Sequence, residues 1–297
     1  MQRQEFSADP ERVAYDSAEM PLYIRNGKLS DYPNMAFVCH WHEDIEFLYV
    51  RTGRVTYNVN GELYTINAGE GIFINARQLH FGYSADKSDG DFLCILLHPL
   101  LLSTNAFLEQ KYIVTVTENH NFPVLQLKTD VPWMKKLLDL LQETACTYNE
   151  KEPGFELEIQ SCFLREWLLI YQNMPLSGDE PYFSKAKLPV LRNMINYIQR
   201  RSAEKIRLSE IAASGNVCES TCCQLFRRYL SRTPTEYLTE YRLSQACILL
   251  NKTQMTITEI AFQVGFSGAS YFAEQFKKYY ACSPTELRGR AEKSNSS

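Results

Sequence analysis

Nowhere in this 297-residue chain do eighteen apolar residues stand together, and the opening stretch MQRQEFSADPERVAYDSAEM has no apolar run of signal-peptide length. Neither a membrane-spanning helix nor a secretory leader is expected, so the sequence reads as cytoplasmic, with no membrane partner. A cysteine framework is also missing. The nine cysteines are odd in number and irregularly spaced, the pattern of reduced thiols rather than disulfides. The cluster CESTCC (Cys218, Cys222, Cys223) has helical periodicity and no histidine beside it, so it is not read as a zinc site. Strong compositional bias is absent too. At 45% hydrophobic and 22% charged residues, the chain is long and apolar enough for two domains with cores of their own.

The net charge of −4 conceals an asymmetry. From Leu188 onward 15 Lys+Arg stand against 9 Asp+Glu, or +6, while the rest has 16 against 26, or −10. A basic module on an acidic chain points to nucleic acid, because phosphate neutralisation supplies most non-specific affinity. On charge alone, a solvated basic face reads the same way.

Within the basic part the chain repeats itself. LSEIAASGNVCESTCCQLFRRYLSRTP (208–234) is followed by ITEIAFQVGFSGASYFAEQFKKYYACSP (257–284). Ile211-Ala212 aligns with Ile260-Ala261, Phe226 with Phe276 and Pro234 with Pro284, the second copy holding one extra residue. Each copy has a short helical segment, a break (SGN; VGFSG) and a longer helical segment. Thr256 with Glu259 forms a capping box at the start of the second copy. Thr233-Pro234 with Glu236 and Ser283-Pro284 with Glu286 supply a cap, a first-position proline and a capping glutamate after each longer segment. This is the layout of two helix-turn-helix units, although helix pairs of this kind also build plain bundles.

The faces are consistent with it. Phe272, Phe276 and Tyr279 share one side of the second long helix, with Ser270, Glu274, Lys277 and Lys278 elsewhere; Cys222, Leu225, Phe226 and Tyr229 oppose Ser220, Gln224, Arg227 and Arg228 in the first. The polar face of a second helix is what enters a major groove, basic residues lying near phosphates. PTEYLTEYRLSQACILLN (234–251) has no interior breaker and reads as one helix spanning roughly 27 Å, which suits two readers about 34 Å apart, one turn of double-stranded DNA.

Residues 189–290 resemble the DNA-binding domain of the AraC/XylS family of bacterial transcription regulators, most closely over RLSQACILLNKTQMTITEIAFQVGFSGASYFAEQFKKYYACSPTELR. The resemblance implies base-reading positions at Ser220, Cys223 and Gln224 and at Ala269, Ser270 and Glu274, on operator or promoter DNA, with RNA polymerase as a further partner. The family commonly has arginine where Gln224 and Glu274 stand. Glu274 repels phosphate but can accept from a cytosine amino group, so the second reader is expected to grip less tightly than is usual. The glycines common after each recognition helix are Ser231 and Ala281 here, and a left-handed residue at either costs about 1 kcal/mol.

The N-terminal half alternates apolar and polar residues. VTYNVNGELYTI turns at Asn60-Gly61, a strong hairpin signal pairing Tyr57 with Tyr64 and Val55 with Ile66. IEFLYV, GIFIN and FLCILL supply further strands, and short strands with glycine turns and no intervening helices read as a small barrel. The predicted fold is α+β in two domains: a cupin-like β-barrel with amphipathic helices, then an all-α domain with two helix-turn-helix motifs.

Histidine is scarce, with five in all, and three of them fall within residues 40–80. His40 and His42 lie two apart, on one face of a strand as read here, with Glu46 at the same parity and His80 after GEGIFINARQLH. Two histidines, a carboxylate and a third histidine suit a first-row metal. The spacing resembles the cupin family's metal motifs, with Gly53 and Gly69 also in place, but Asn75 stands where proline is usual and Arg77 where glycine is. Three readings remain open: a divalent metal site, a polar lining for a small-molecule effector, and hydrogen-bonded structural histidines.

VPWMKKLLDLLQETACTYN and GFELEIQSCFLREWLLIYQNM carry apolar residues at three and four spacing: Trp133, Leu137 and Leu141, then Phe155, Ile159, Phe163, Trp167 and Ile170. The second has more apolar surface than one face needs, and the family resemblance implies pairing with its twin in a homodimer. The expected organisation is 1–130 ligand-sensing barrel, 131–174 dimerisation helices, 175–187 linker, 188–290 DNA-binding domain and 291–297 disordered tail. The function read from this is a DNA-binding transcription regulator, not an enzyme and requiring no cofactor, that senses a small polar metabolite such as a sugar or derivative. The alternative is a metal-dependent cupin enzyme, an oxygenase or isomerase, fused to a DNA-binding domain.

Overall fold

The computed structural model describes residues 13, 15, 20–175 and 187–294. Those up to 175 belong to one compact unit and those from 187 onward to another. The expected linker lies almost wholly outside the described residues.

The first unit is rich in sheet. β1 (Leu22–Lys28), β6 (Gly90–Leu97), β2 (Ile45–Val59), β4 (Gly71–Ile74) and β7 (Val124–Leu127) pair in that order, while β3 (Glu62–Asn67) and β5 (His80–Tyr83) pair with the far half of β2. IEFLYV and VTYNV are therefore one 15-residue strand shared by two sheets. Its turning point is Gly53, at φ 71°, where a Cβ would stand 2.0 Å from the Asp89 carbonyl oxygen, so only glycine fits. The register against β6 slips between Val50 and Thr52. The hairpin pairs Tyr57 with Tyr64 and Val55 with Ile66, and Asn60 and Gly61 both adopt positive φ, as its two-residue turn requires.

The two sheet faces bury different sets. Ile45, Phe47, Phe73, Leu93 and Ile95 lie under the helices, and Leu48, Val50, Val55, Tyr57, Ile72 and Phe92 form an inner cluster. After β6 a helical run including α1 (Ala106–Leu108) and α2 (Thr115–Thr117) leads to β7, and α3 (Pro132–Glu150) and α4 (Phe155–Asn173) follow. Leu137, Leu141, Ile159, Phe163, Trp167 and Ile170 are all buried against the first sheet face, with Trp133 and Phe155 half-buried at its margin. Both amphipathic stretches thus spend their main apolar stripe inside this unit.

The second unit is helical: α5 (Lys187–Arg201), α6 (Leu208–Ser214), α7 (Glu219–Leu230), α8 (Pro234–Lys252), α9 (Ile257–Gln263), α10 (Ala269–Tyr280) and α11 (Pro284–Ser294). α8 is the unbroken connecting helix that its sequence predicts. α11 continues to Ser294, so the start of the expected tail is helical, and the last three residues lie outside the described set. The capping boxes form as read: Glu236 Oε2 accepts from Thr233 N, Glu259 Oε2 from Thr256 N and Glu286 Oε2 from Ser283 N, each at 2.7 Å. Arg242 ties α8 to the segment after α5, donating from Nε to the Ser202 carbonyl and from Nη2 to that of Glu204.

Ser231 and Ala281 end the two longer helices in the left-handed conformation, at φ 53° and 55°. Ala281→Gly is therefore expected to raise stability by about 1 kcal/mol, measured by urea denaturation of the full chain. No gain would mean that the glycine's extra freedom in the unfolded chain cancels the relief.

Candidate DNA interface and ligand site

The four residues singled out in the N-terminal half meet. His40, His42, Glu46 and His80 each offer a donor atom within 4.8 Å of the others. Glu46 Oε2 stands 3.0 Å from His80 Nε2 and 3.5 Å from His42 Nε2. His42, Glu46 and His80 are buried and His40 is half-buried. Burial alone would raise the Glu46 carboxyl, but the charge of His80 and the hydrogen bonds from His42 and His80 outweigh it and hold the group well below the usual carboxylate range.

The route to this arrangement differs from a simple strand. His40 makes a single bridge with His80, and His42 lies in irregular chain ahead of β2, so the two are not on one strand with Glu46. Instead the His42 carbonyl accepts from Arg77 N at 2.8 Å. The two cupin-motif departures are accommodated at this corner. Arg77 takes φ 63° where the motif has glycine, and its guanidinium is fixed by Glu43 and Glu118. Asn75 is buried, donating from Nδ2 to the carbonyls of Val116 and Phe122.

Tyr57, absent from the sequence motif, also belongs to the cluster: its hydroxyl donates to Glu46 Oε1 at 2.7 Å. An odd separation of eleven residues should put Tyr57 and Glu46 on opposite faces, but the slip between Val50 and Thr52 reverses the alternation. Burial, then the Glu46 charge, pushes the Tyr57 hydroxyl well above its ordinary value. Cys94, on the inner face of β6, is shifted upward by the same two causes.

In the second unit the faces divide as expected. Cys222, Leu225, Phe226 and Tyr229 are buried on α7, with Ser220, Gln224, Arg227 and Arg228 exposed and Cys223 half-buried. On α10, Phe272 and Phe276 are buried and Tyr279 half-buried; Ser270, Glu274, Lys277 and Lys278 are exposed and Ala269 half-buried. Tyr271 is 52% exposed beside Ser270, an aromatic on the polar face that the apolar periodicity conceals.

Two known families match this chain. Residues 211–290 match a helix-turn-helix domain and residues 27–157 an AraC-like ligand binding domain. An AraC-like ligand binding domain and a helix-turn-helix domain thus stand on one chain. Among similar proteins, the HTH-type transcriptional regulator YdeC of Bacillus subtilis is 26% identical over 94% of this chain and 95% of its own length. The HTH-type transcriptional activator RhaR of Mannheimia succiniciproducens is 24% identical over 86% of this chain and 88% of its own. The crystal structure of an apo ToxT variant from Vibrio cholerae shares the fold, with a TM-score of 0.51 at 14% identity, covering 92% of this chain and 98% of that one. The two matched domains together make the chain a DNA-binding transcription regulator with a ligand-binding domain. The ligand-domain match takes in β2 to β7, the end of β1 and the cluster, and the helix-turn-helix match runs from within α6 into α11. No helix among the described residues is long and apolar enough to cross a membrane.

Proposed function

We propose that this regulator grips two successive major grooves with α7 and α10 of one chain and that a small polar ligand at the His/Glu cluster sets its DNA-binding state. The observation that carries the DNA reading is the pair of recognition helices, each with a buried aromatic side and an exposed polar side ending in two cations. Ser220, Cys223 and Gln224 read bases from α7, and Ala269, Ser270 and Glu274 from α10. Arg227, Arg228, Lys277 and Lys278 hold phosphates, with Tyr271 placed to donate to another. On the ligand side, a carboxylate, three imidazoles and the Tyr57 phenol suit hydroxyl-rich molecules, a sugar or derivative among them, as well as cations. The regulator acts as a homodimer that engages RNA polymerase. Leu157, Leu164 and Leu168, exposed by 75, 41 and 51% along one stripe of α4, supply the surface for pairing. The regulator names of its relatives favour this reading over a cupin enzyme.

The test is on DNA. Gln224→Ala is expected to relax base preference at one position, with discrimination falling by about 1–3 kcal/mol. Arg228→Ala should weaken all sequences alike and lower the salt slope by about 1. If neither variant changes the affinity for selected DNA, α7 is not a recognition helix.

A further inference from the structure

The two halves of the helical unit share α8, which packs on α5, α6 and α7 and also on α9 and α11. Residues 202–204, just past the end of α5, make a further junction between them. From α8, Arg242 forks into this segment, its Nε donating to the Ser202 carbonyl and its Nη2 to that of Glu204, both at 2.6 Å. From the second half, the turn ahead of α10 presses on the same residues. At Gly265, φ 95°, a Cβ would stand 2.4 Å from the Ser202 oxygen and 2.9 Å from the Ala203 Cα, so only glycine lets the two main chains come this close. The Arg242 guanidinium also lies 5.9 Å from the centre of the Phe266 ring, which packs against Tyr271 and Phe272 of α10 at 6.0 and 5.2 Å. One side chain of α8 thus joins the end of α5 to the base of α10.

We infer that Arg242 and the segment Ser202 to Glu204 form a latch that fixes the angle between α7 and α10, making Arg242 a positioning residue that sets which spacing of DNA segments the chain accepts. The inference rests on the two-reader proposal above and adds to it a residue that does not itself touch DNA. A single connecting helix leaves two halves free to twist about its axis, whereas contacts on two sides of it remove that freedom. The second side is present. Glu240 lies two residues before Arg242, about 200° around the helix, and accepts from Arg232 Nε, beyond the end of α7, at 2.7 Å. Tyr279 of α10 stands near both: burial raises its hydroxyl, Glu240 raises it further and Arg232 opposes the rise. A planar fork of charged donors suits the two carbonyls of the latch, which the single ammonium of lysine cannot span in the same way.

The experiment uses the full-length chain and the DNA it selects from a random pool, remade with one base pair added between the two preferred segments and, separately, with one segment scrambled. Wild type should lose about 100-fold or more on the added base pair, because the second reader no longer meets its groove. Arg242→Met keeps an apolar stem near Phe266 and removes both donors. It should bind the selected site about 10-fold more weakly, lose less than about 10-fold on the added base pair, and match wild type on DNA with a single intact segment. Its salt slope should equal that of wild type, whereas loss of a phosphate contact would lower the slope by about 1. Arg242→Lys should fall between the two, and it carries the test if the methionine variant does not fold. A folded variant as strict on spacing as wild type, or one with a lowered salt slope, overturns the latch alone. Wild type that selects a single segment, or binds both spacings alike, overturns the two-reader proposal and the latch with it.

Discussion

Phe276→Ala is expected to lower the stability of the C-terminal unit by about 3–5 kcal/mol and to abolish specific DNA binding. Phe276 is fully buried on α10, 5.5 Å from the Phe272 ring and 4.4 Å from that of Tyr280. Around it lie Leu243, Leu250, Ile260 and Phe266 from α8, α9 and the turn before α10. The side chain thus joins the three helical elements that place the second reader. Removing it leaves a cavity that these neighbours cannot fill without moving the helix that carries Ser270 and Glu274. Since small domains have only about 5–15 kcal/mol in total, the loss is a large share. Urea denaturation measures it, with Phe262→Ala as the control: that ring is 55% exposed and should cost no more than about 0.5 kcal/mol. A Phe276→Ala midpoint equal to the control's would contradict the packing described.

The second large effect concerns pH. Glu166 lies on α4, 1% exposed, with Thr144 Oγ1 of α3 donating to its Oε1 at 2.7 Å. Its Oε2 is buried without a hydrogen-bond partner among the described residues. Burial raises the carboxyl to about 7, Glu143 adding to the rise while the Thr144 bond and the Arg165 charge oppose it. In the unfolded chain the group titrates near 4.3, so between the two values the folded state holds the proton more tightly. Its contribution to stability is fully present below about pH 4 and is lost as pH rises through 7, a swing of about 4 kcal/mol. Glu166→Gln keeps the shape and accepts the same Thr144 bond without a charge. The variant should gain up to about 4 kcal/mol over the wild type at pH 8 and little at pH 4.5. A difference that stays constant with pH would show that Glu166 is not held as a buried acid.

The C-terminal unit was readable because its signals are local. Thr233 with Glu236, and Thr256 with Glu259, mark helix starts within four residues, and Phe272 with Phe276 marks a core face within one turn. Asn60-Gly61 fixes the hairpin register for the same reason. What escaped depends on contacts between distant parts of the chain. β2 reads as two strands because its bend at Gly53 resembles a turn, and only pairing with both sheets makes it one. That bend and the nearby register slip also hide Tyr57, since strict alternation places it on the wrong face. Motif spacing brings His42 to this cluster, but the Arg77 main chain, not a strand, places it. Glu166 falls within the apolar stripe of α4, and nothing local reveals that Thr144 awaits it across the helix pair.

That one chain carries two readers of duplex DNA can be tested on the DNA itself. The most direct measurement is selection from a random DNA pool by the full-length protein, followed by anisotropy titrations of the enriched sequence with wild type, Arg228→Ala and a Lys277→Ala/Lys278→Ala double variant. Two readers should enrich a site with two preferred segments about 10 base pairs apart, and binding should weaken when the cations of either helix are removed. Enrichment of a single segment, with the α10 variant binding as well as wild type, would contradict it.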